Sequence, residues 1–368
     1  MPTERASFAD RRTRAAAKLR ERNLGALLAS PGADLLYLAG YQIFASERLT
    51  CLVLDRDGKA TLVCPGFEAP RAAVAAPDIE RATWGETDDP YALVASLVRA
   101  SGGIAVADQM WAAFVLRLQG ALPQIAFQAA SLITRDLRMR KDAAEVDALR
   151  LVSESADRAY ARILERPFAG RTEREIGADL AELLRAEGHD EVGFTIVASA
   201  ANGASPHHET GDRRIAVGDT VVLDFGGAMR GYRSDITRTV HVGEAAGREE
   251  QKIHDVVRRA QEAGYVAARK DASAESVDAA SRRVIDDAGY GEFFIHRTGH
   301  GIGLDGHEHP YLVRGNHERL EPGMAFSIEP GIYLPGRFGV RIEDIAVIDP
   351  DGTARPLNRA DHAFATVA

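Results

Sequence analysis

The chain of 368 residues is too long for one ordinary hydrophobic core, which favours two domains. With 45% hydrophobic residues and a net charge of −9, it has the composition of a soluble globular protein, and nucleic acid or an anionic membrane is not expected as its main partner. No apolar run approaches the roughly 18 residues of a transmembrane helix, and residues 1–22 are too charged for a signal peptide, so we expect a cytoplasmic protein.

The first part of the chain alternates predicted helices and strands. An Ala/Arg-rich helix over 6–22 precedes a buried strand over 25–30, and the alternation continues as far as a helix over 110–120. This pattern predicts an α/β domain with a mixed sheet. No Gly-rich phosphate loop follows a strand, so we assign this domain no chemistry. A basic run at 137–141 changes the character of the chain, and we expect domains over residues 1–135 and 136–368.

The two cysteines exclude a disulfide framework and a Cys-based zinc site. If Asp57 and Gly58 form the centre of a two-residue hairpin turn, Cys51 and Cys64 face each other across the hairpin. In a reducing compartment we expect a reduced, packed pair, and a cross-strand disulfide is the alternative.

The second part of the chain is predicted to be α+β. A long helix over 143–164 is followed by a capping box, Thr172 with Glu175, that opens a helix ending before Gly188. After two strands, two further helices and three short segments dense in His, Glu, Gly and Pro complete the chain.

Two carboxylates lie where strands should bury them. Asp224 ends the apolar run that starts at 221, and Asp235 lies in a second predicted strand over 231–242. We therefore expect them on neighbouring antiparallel strands. Two unpaired carboxylates in such a place would repel each other and cost several kcal/mol each to desolvate, so a cation must compensate them. A divalent metal ion is the simplest candidate.

The last third of the chain adds candidate ligands. Five of the eleven histidines fall between His296 and His317, interleaved with glycines, which suits a metal and substrate pocket. Two glutamates follow or lie in predicted buried strands over 324–328 and 340–347. Four carboxylates and one imidazole can hold two divalent ions, and this mixture suits Mn, Co or Zn. The candidate ligands are Asp224, Asp235, His300, Glu329 and Glu343.

These residues and their flanks resemble the pita-bread metallopeptidases, the family of methionine aminopeptidase, aminopeptidase P and prolidase. Asp224 in Leu-Asp-Phe-Gly, Asp235 in Ser-Asp-Ile-Thr-Arg, His300 in Thr-Gly-His-Gly-Ile-Gly, Glu329 in Ile-Glu-Pro-Gly and Glu343 in Arg-Ile-Glu-Asp match its five metal ligands in order and spacing. The first domain is similar to the creatinase/prolidase N-terminal domain of the proline-specific branch. The resemblance implies an α/β domain, then an α+β pita-bread catalytic domain, and a homodimer.

The resemblance implies roles for the five ligands. Asp224 would bind one metal ion, His300 and Glu329 would bind the other, and Asp235 and Glu343 would bridge the two. A hydroxide between the ions would be the nucleophile, because two cations lower the pKa of the water. Glu329 would accept the water proton and pass it to the leaving amine.

The resemblance also implies residues that contact the substrate. His207, in Ser-Pro-His-His, matches the substrate-side histidine of the family, and His296 and His307 would join it in hydrogen bonding the substrate and the tetrahedral intermediate. Arg341 would contact the carboxylates of the metal ligands, without binding metal itself, and would orient them.

The expected activity is hydrolysis of Xaa-Pro dipeptides, and a Xaa-Pro aminopeptidase acting on longer peptides is the alternative. Familiar prolidases carry an arginine straight after His-Glu-x-Pro to pair with the substrate carboxylate, and here that position is Tyr311. Arg48, in a loop that could reach a neighbouring subunit's pocket, is a candidate replacement; an exposed surface arginine is the other interpretation. A hydrolase or lyase of a small non-peptide substrate also stays open, whereas the complete ligand set counts against creatinase-like hydrolases and binding scaffolds.

Two further motifs carry no function. The stretch 301–306 spells the dinucleotide fingerprint, but it lies outside any strand-then-helix unit. His307 and His309 flank one glutamate and lack the four-residue spacing of a helical zinc-protease motif.

Overall fold

A computed structural model describes residues 2–98 and 102–368. The chain divides into two compact units, Met1–Arg138 and Met139–Ala368. Among the described residues, no helix combines the length and the apolar character that a membrane span requires.

The first unit alternates helices with strands. Its elements are α1 (Pro2–Glu21), β1 (Leu24–Ala29), α2 (Ala33–Ala39), β2 (Cys51–Asp55), β3 (Ala60–Pro65), α3 (Ala69–Ala75), β4 (Glu80–Trp84), α4 (Pro90–Leu97), β5 (Gly103–Val106), α5 (Ala112–Ala121), β6 (Phe127–Ala129) and α6 (Ser131–Met139).

The sheet of the first unit has the strand order β4-β3-β2-β1-β5-β6. It is mixed, because β1 runs antiparallel to β2 and parallel to β5. Helices α4 and α5 cover it through Val94, Phe114 and Leu118, which pack with the strand residues in one core cluster. The predicted α/β architecture with a mixed sheet is confirmed.

The predicted facing of the two cysteines is wrong. The β2–β3 register pairs Cys51 with Val63, so Cys64 lies one position further along and its side chain points to the other face of the sheet. The reason is the turn: Asp55 and Lys59 close a loop of three residues, and one extra residue shifts the register by one. Both thiols are free, and burial raises the pKa of Cys51 to about 12.

The second unit contains four helices and twelve strands within its described residues. Its elements are α7 (Ala143–Ile163), α8 (Glu173–Ala186), β7 (Glu191–Ser199), β8 (Thr220–Met229), β9 (Tyr232–Arg233), β10 (Ile236–Val242), α9 (Arg248–Ala267), α10 (Ala274–Asp287), β11 (Gly299–Gly301), β12 (Glu308–Leu312), β13 (Ala325–Ile328), β14 (Gly331–Leu334), β15 (Phe338–Arg341), β16 (Asp344–Ile348), β17 (Ala354–Pro356) and β18 (Thr366–Val367).

Two sheets and one hairpin form the scaffold of the second unit. One sheet has the order β18-β10-β8-β7 with β9 added to β8, the other has the order β12-β11-β13-β16-β17, and β14 pairs with β15. Helices α7 and α8 pack on the first sheet, where Ile163 and Leu180 join Phe225 in a core cluster. Val277 of α10 packs with Phe326 of the second sheet. The predicted α+β pita-bread fold is confirmed.

Two of the predicted strands are interrupted at acidic residues. The predicted strand over 231–242 is split into β9 and β10, and Asp235 lies in the gap. The predicted strand over 340–347 is split into β15 and β16, and Glu343 lies in that gap. The backbone N–H of Glu343 donates to the carbonyl oxygen of Thr237 in β10 at 3.0 Å, and this isolated β-bridge joins the gap between β15 and β16 to the first sheet. The interruptions therefore bring both carboxylates to the junction of the sheets.

Candidate metal centre

Three buried carboxylates meet where the two sheets join. Asp224 lies in β8 directly opposite Thr237 of β10, and Asp235 immediately precedes β10. Each of Asp224, Asp235 and Glu343 offers one oxygen atom, and these atoms lie within 4.8 Å of one another. Only 8% of Asp224 and 6% of Asp235 is exposed, and carboxylates buried to this extent usually have a compensating charge beside them.

His300 and Glu329 extend this group. His300 lies in β11, and Glu329 directly follows β13 of the same sheet. His300 Nε2 lies 3.4 Å from Glu329 Oε1 and 3.8 Å from Asp235 Oδ2. Potential ligand atoms of His300, Glu329 and Glu343 lie within 4.8 Å of one another. The structure thus brings all five predicted ligands together in one cluster, with Glu343 common to both halves.

The cluster has the donors that divalent cations need. In the part of the chain that the structure describes, three buried carboxylate oxygens have no hydrogen-bond partner: Asp224 Oδ1, Asp235 Oδ1 and Glu343 Oε1. Buried carboxylate oxygens without a partner are strongly destabilising. Four carboxylates and one neutral imidazole match the charge of two divalent cations, so the residues present fit a dinuclear centre.

The pKa values of the clustered residues are shifted by burial and by the negative charges that lie close together. Burial raises the pKa of Asp235 and of Glu343 well above the usual range, and the charges of the neighbouring carboxylates raise both further. Burial also raises the pKa of Glu329 to about 7. The pKa of His300 falls to about 3, mainly through burial and then through the neighbouring His307, so this imidazole is neutral, the form that binds metal ions.

Arg341 holds the outer side of the cluster. Its Nη2 donates to Asp224 Oδ2 at 2.5 Å, and its Nε donates to Thr237 Oγ1 at 3.1 Å. The Thr237 hydroxyl in turn donates to Glu343 Oε2 at 2.7 Å. One oxygen of Asp224 and one of Glu343 are therefore held by the protein, and the unpartnered oxygen of each is left for a ligand.

His296 lies in a second hydrogen-bonded chain. Its Nδ1 lies 2.7 Å from the carbonyl oxygen of Arg297, so Nδ1 carries the proton and Nε2 accepts from the hydroxyl of Tyr333 at 2.9 Å. Arg341 Nη1 donates to the same Tyr333 hydroxyl at 2.8 Å. Tyr333 was not predicted as a site residue. Its only sequence signal is its position four residues after Glu329.

The other predicted substrate residues lie in separate segments of the second unit. The ring of His307 is 4.0 Å from that of His300, between centroids, and His307, Asp235 and His300 form a third possible ligand group. His207 is exposed, in the segment after the 3-10 turn Ala200–Ala204. Tyr311 lies opposite His300 in the β11–β12 register.

Arg48 belongs to the first unit, where it is surrounded by acidic neighbours. It is exposed by 37%, donates to Glu86 at 3.1 Å, contacts Glu47 closely, and lies over the ring of Phe67. Its guanidinium is therefore occupied by two carboxylates.

The fold and the cluster together define a two-domain metallopeptidase of the pita-bread class. Residues 147–350 match the model of metallopeptidase family M24, and residues 11–140 match the creatinase/prolidase N-terminal domain. The chain belongs to metallopeptidase family M24, as its motifs predicted.

Relatives span nearly the whole chain. The probable dipeptidase PepE of Mycobacterium tuberculosis is 45% identical over 365 residues, which are 98% of this chain and 96% of that protein. The Xaa-Pro dipeptidase of Lactobacillus helveticus is 35% identical over 325 residues, which are 86% of this chain and 88% of that protein. The crystal structure of dipeptidase PepE from Mycobacterium ulcerans has a TM-score of 0.91 and 44% identity and covers 99% of this chain and 98% of that one.

Proposed function

We propose that this metallopeptidase is a dinuclear enzyme that hydrolyses Xaa-Pro dipeptides. The observation that carries the proposal is the buried five-residue cluster with three unpartnered carboxylate oxygens, in a chain whose relatives include proteins named dipeptidase and Xaa-Pro dipeptidase. We expect manganese as the metal, although cobalt and zinc suit the same donors. A homodimer and a cytoplasmic location are part of the proposal.

The ligands divide between two metal positions. Asp224 would serve one position, His300 and Glu329 would serve the other, and Asp235 and Glu343 would be shared. Two divalent cations bound here would lower the pKa of a water molecule and polarise the scissile carbonyl group.

Glu329 is the proposed proton carrier. Its Oε1 accepts a hydrogen bond from Ser327 Oγ at 3.2 Å, which fixes the carboxylate beside His300. From there the carboxylate would take the proton of the attacking water and deliver it to the leaving nitrogen of proline.

Three histidines are proposed to contact the substrate. Both His207 and His307 are exposed, and His307 lies beside His300 with His207 as an electrostatic neighbour. Both can donate to the substrate carbonyl oxygen and to the negative charge that develops on it. His296 is fixed by its bonds to Tyr333 and to a backbone carbonyl, so its ring can form one wall of the substrate site.

A paired assay tests the proposed function. The purified protein is freed of metal with a chelator, reloaded with Mn, and given a Xaa-Pro dipeptide and the same peptide extended by two residues. We expect the protein to cleave the dipeptide and not the longer peptide, and to do so only when metal is bound. Cleavage of the longer peptide would make the protein an aminopeptidase, and cleavage of neither by metal-saturated protein would favour a small non-peptide substrate.

A further inference from the structure

Among the described residues, the guanidinium of Arg297, beside the candidate metal centre, has no acidic partner. It is half-buried and lies three residues before His300, and its Cζ lies 4.5 Å from the ring centroid of Tyr311. Within residues 2–98 and 102–368 its guanidinium forms no ion pair and donates no hydrogen bond. A guanidinium has five N–H donors, and stacking on an aromatic face leaves those at its edges free.

Two arginines near Arg297 differ from it because each is paired with a carboxylate of the protein. Arg341 donates to Asp224 at 2.5 Å, and Arg282 donates to Asp278 at 3.1 Å and to a backbone carbonyl at 2.8 Å. Both guanidinium groups neutralise buried carboxylates of the protein itself. Arg297, in contrast, pairs with no carboxylate among the described residues, so its charge is available to an external anion.

The strand register places this cation next to the reacting groups. Tyr311, on which Arg297 stacks, is the β12 partner of His300, and the backbone of the next residue, Thr298, bonds to β12 at 3.1 Å. The pKa of His307 is lowered by burial first and then by the charge of Arg297, so the guanidinium lies within electrostatic reach of that imidazole.

A dipeptide presents an anion close to its scissile bond. Its terminal carboxylate belongs to the residue that follows the scissile bond, and consecutive Cα atoms are about 3.8 Å apart, so the cation that binds it must lie close to the metal ions. An arginine can bind a carboxylate through two parallel hydrogen bonds, which adds direction to the charge attraction.

We propose that Arg297, held by its contact with Tyr311, binds the C-terminal carboxylate of the dipeptide substrate. This inference rests on the proposed function and deepens it, because it makes the free carboxylate of the substrate the feature that the site selects. Arg297 then takes the role for which Arg48 is the alternative candidate.

Steady-state kinetics of the Mn-loaded enzyme test the proposal on two substrates, a Xaa-Pro dipeptide and its C-terminal amide, which lacks the negative charge. We expect Arg297→Met to lower kcat/KM for the dipeptide by about 10- to 100-fold, mainly through KM, as for the loss of charge-assisted hydrogen bonds. Cleavage of the amide should be unchanged, so the preference for the acid should disappear. Arg297→Lys keeps the positive charge and loses the pair of parallel hydrogen bonds. Its preference for the acid should therefore lie between that of the wild-type protein and that of Arg297→Met.

Arg314→Met is the matched control, because Arg314 is exposed and follows β12 by two residues. It should keep the wild-type preference for the acid. The proposal is overturned if Arg297→Met weakens both substrates equally, since this indicates a structural role. It is also overturned if Arg48→Met removes the preference and Arg297→Met does not.

Calorimetric binding of a reduced-bond Xaa-Pro analogue, which cannot be hydrolysed, separates this inference from the proposed function. The wild-type protein should bind the acid form more tightly than the amide form, and Arg297→Met should bind both forms alike. If this pattern appears in a protein that cleaves no Xaa-Pro dipeptide, the carboxylate site stands and the proposed function fails. If the wild-type protein does not distinguish acid from amide, the inference is wrong.

Discussion

Arg341 Nη2 lies 2.5 Å from Asp224 Oδ2, and only 3% of Arg341 is exposed. The same guanidinium also reaches Glu343 through the hydroxyl of Thr237. One side chain therefore sets the orientation of two proposed ligands, one in β8 and the other in the gap between β15 and β16. Each of these carboxylates keeps one oxygen without a protein partner, so that oxygen can bind a cation while the other oxygen is held in place.

Arg341→Met should weaken metal binding more than it weakens the fold. Loss of an outer-layer partner of this kind typically reduces metal affinity or activity by about 10- to 100-fold. A calorimetric titration of the metal-free protein with Mn measures the change. The control is Arg337→Met, because Arg337 lies in the turn of the β14–β15 hairpin and pairs with Glu249 at the surface. Equal Mn affinity in Arg341→Met and the wild-type protein would contradict the proposed role.

Glu173 organises the segment that carries His207. Its side chain is fully buried at the start of α8, where Oε1 accepts from the backbone and hydroxyl of Ser199 at 2.8 and 2.6 Å and from Asn202 at 2.9 Å. Oε2 lies 2.9 Å from His208 Nε2. Burial alone would raise the pKa of Glu173, but these hydrogen bonds hold it below the usual value. The carboxylate is therefore ionised and forms the anchor of this segment.

Glu173→Gln should destabilise the protein and displace His207. A glutamine cannot accept at both positions, so buried donors lose their partner, and we expect a loss of about 2–4 kcal/mol in the free energy of unfolding. The KM for substrate should rise in the folded variant. Urea denaturation and steady-state kinetics measure the two effects. Glu175→Gln, in the exposed capping box of the same helix, should cost less than about 1 kcal/mol and leave KM unchanged.

Asp235→Asn should abolish metal-induced stabilisation and turnover together. Asp235 is common to two of the possible ligand groups, and one of its oxygens is buried without a partner. In the metal-free state the same variant should be more stable than the wild-type protein by about 1 kcal/mol or more at pH 8, because it removes one of several crowded charges. Thermal unfolding with and without Mn checks both parts. A variant that retains the Mn-dependent rise in Tm and activity would rule out Asp235 as a ligand.

The order and spacing of acidic and imidazole side chains were enough to predict the cluster, because burial of Asp224 or His300 follows from the apolar and glycine-rich residues that flank them. The local breaks at Asp235 and Glu343 were not predictable. No proline or glycine lies within 232–242 or 340–347 to mark a break. The isolated bridge at Glu343 joins it to Thr237, which is far away in sequence.

Contacts between distant segments account for the other differences. The stacking of Arg297 on Tyr311 and the bond from Tyr333 to His296 each depend on how two strands or loops are aligned, and no local pattern encodes either contact. The error at Cys51 has the same origin, since a turn that is one residue longer changes which side chains share a face. Local patterns predicted the elements, and the register between the elements decided the contacts.

His254 should make stability depend on pH. It is 2% exposed in α9, its ring is stacked on Phe364 with centroids 4.5 Å apart, and burial lowers its pKa to about 4. Since the unfolded chain binds a proton near pH 6.5, stability contributed by neutral His254 is present above that pH and is lost as the pH falls toward 4. Between pH 7 and pH 4.5 the wild-type protein should lose about 2–3 kcal/mol more unfolding free energy than His254→Phe. Urea denaturation of both metal-free proteins at the two pH values measures the difference, and equal losses would show that His254 does not titrate as proposed.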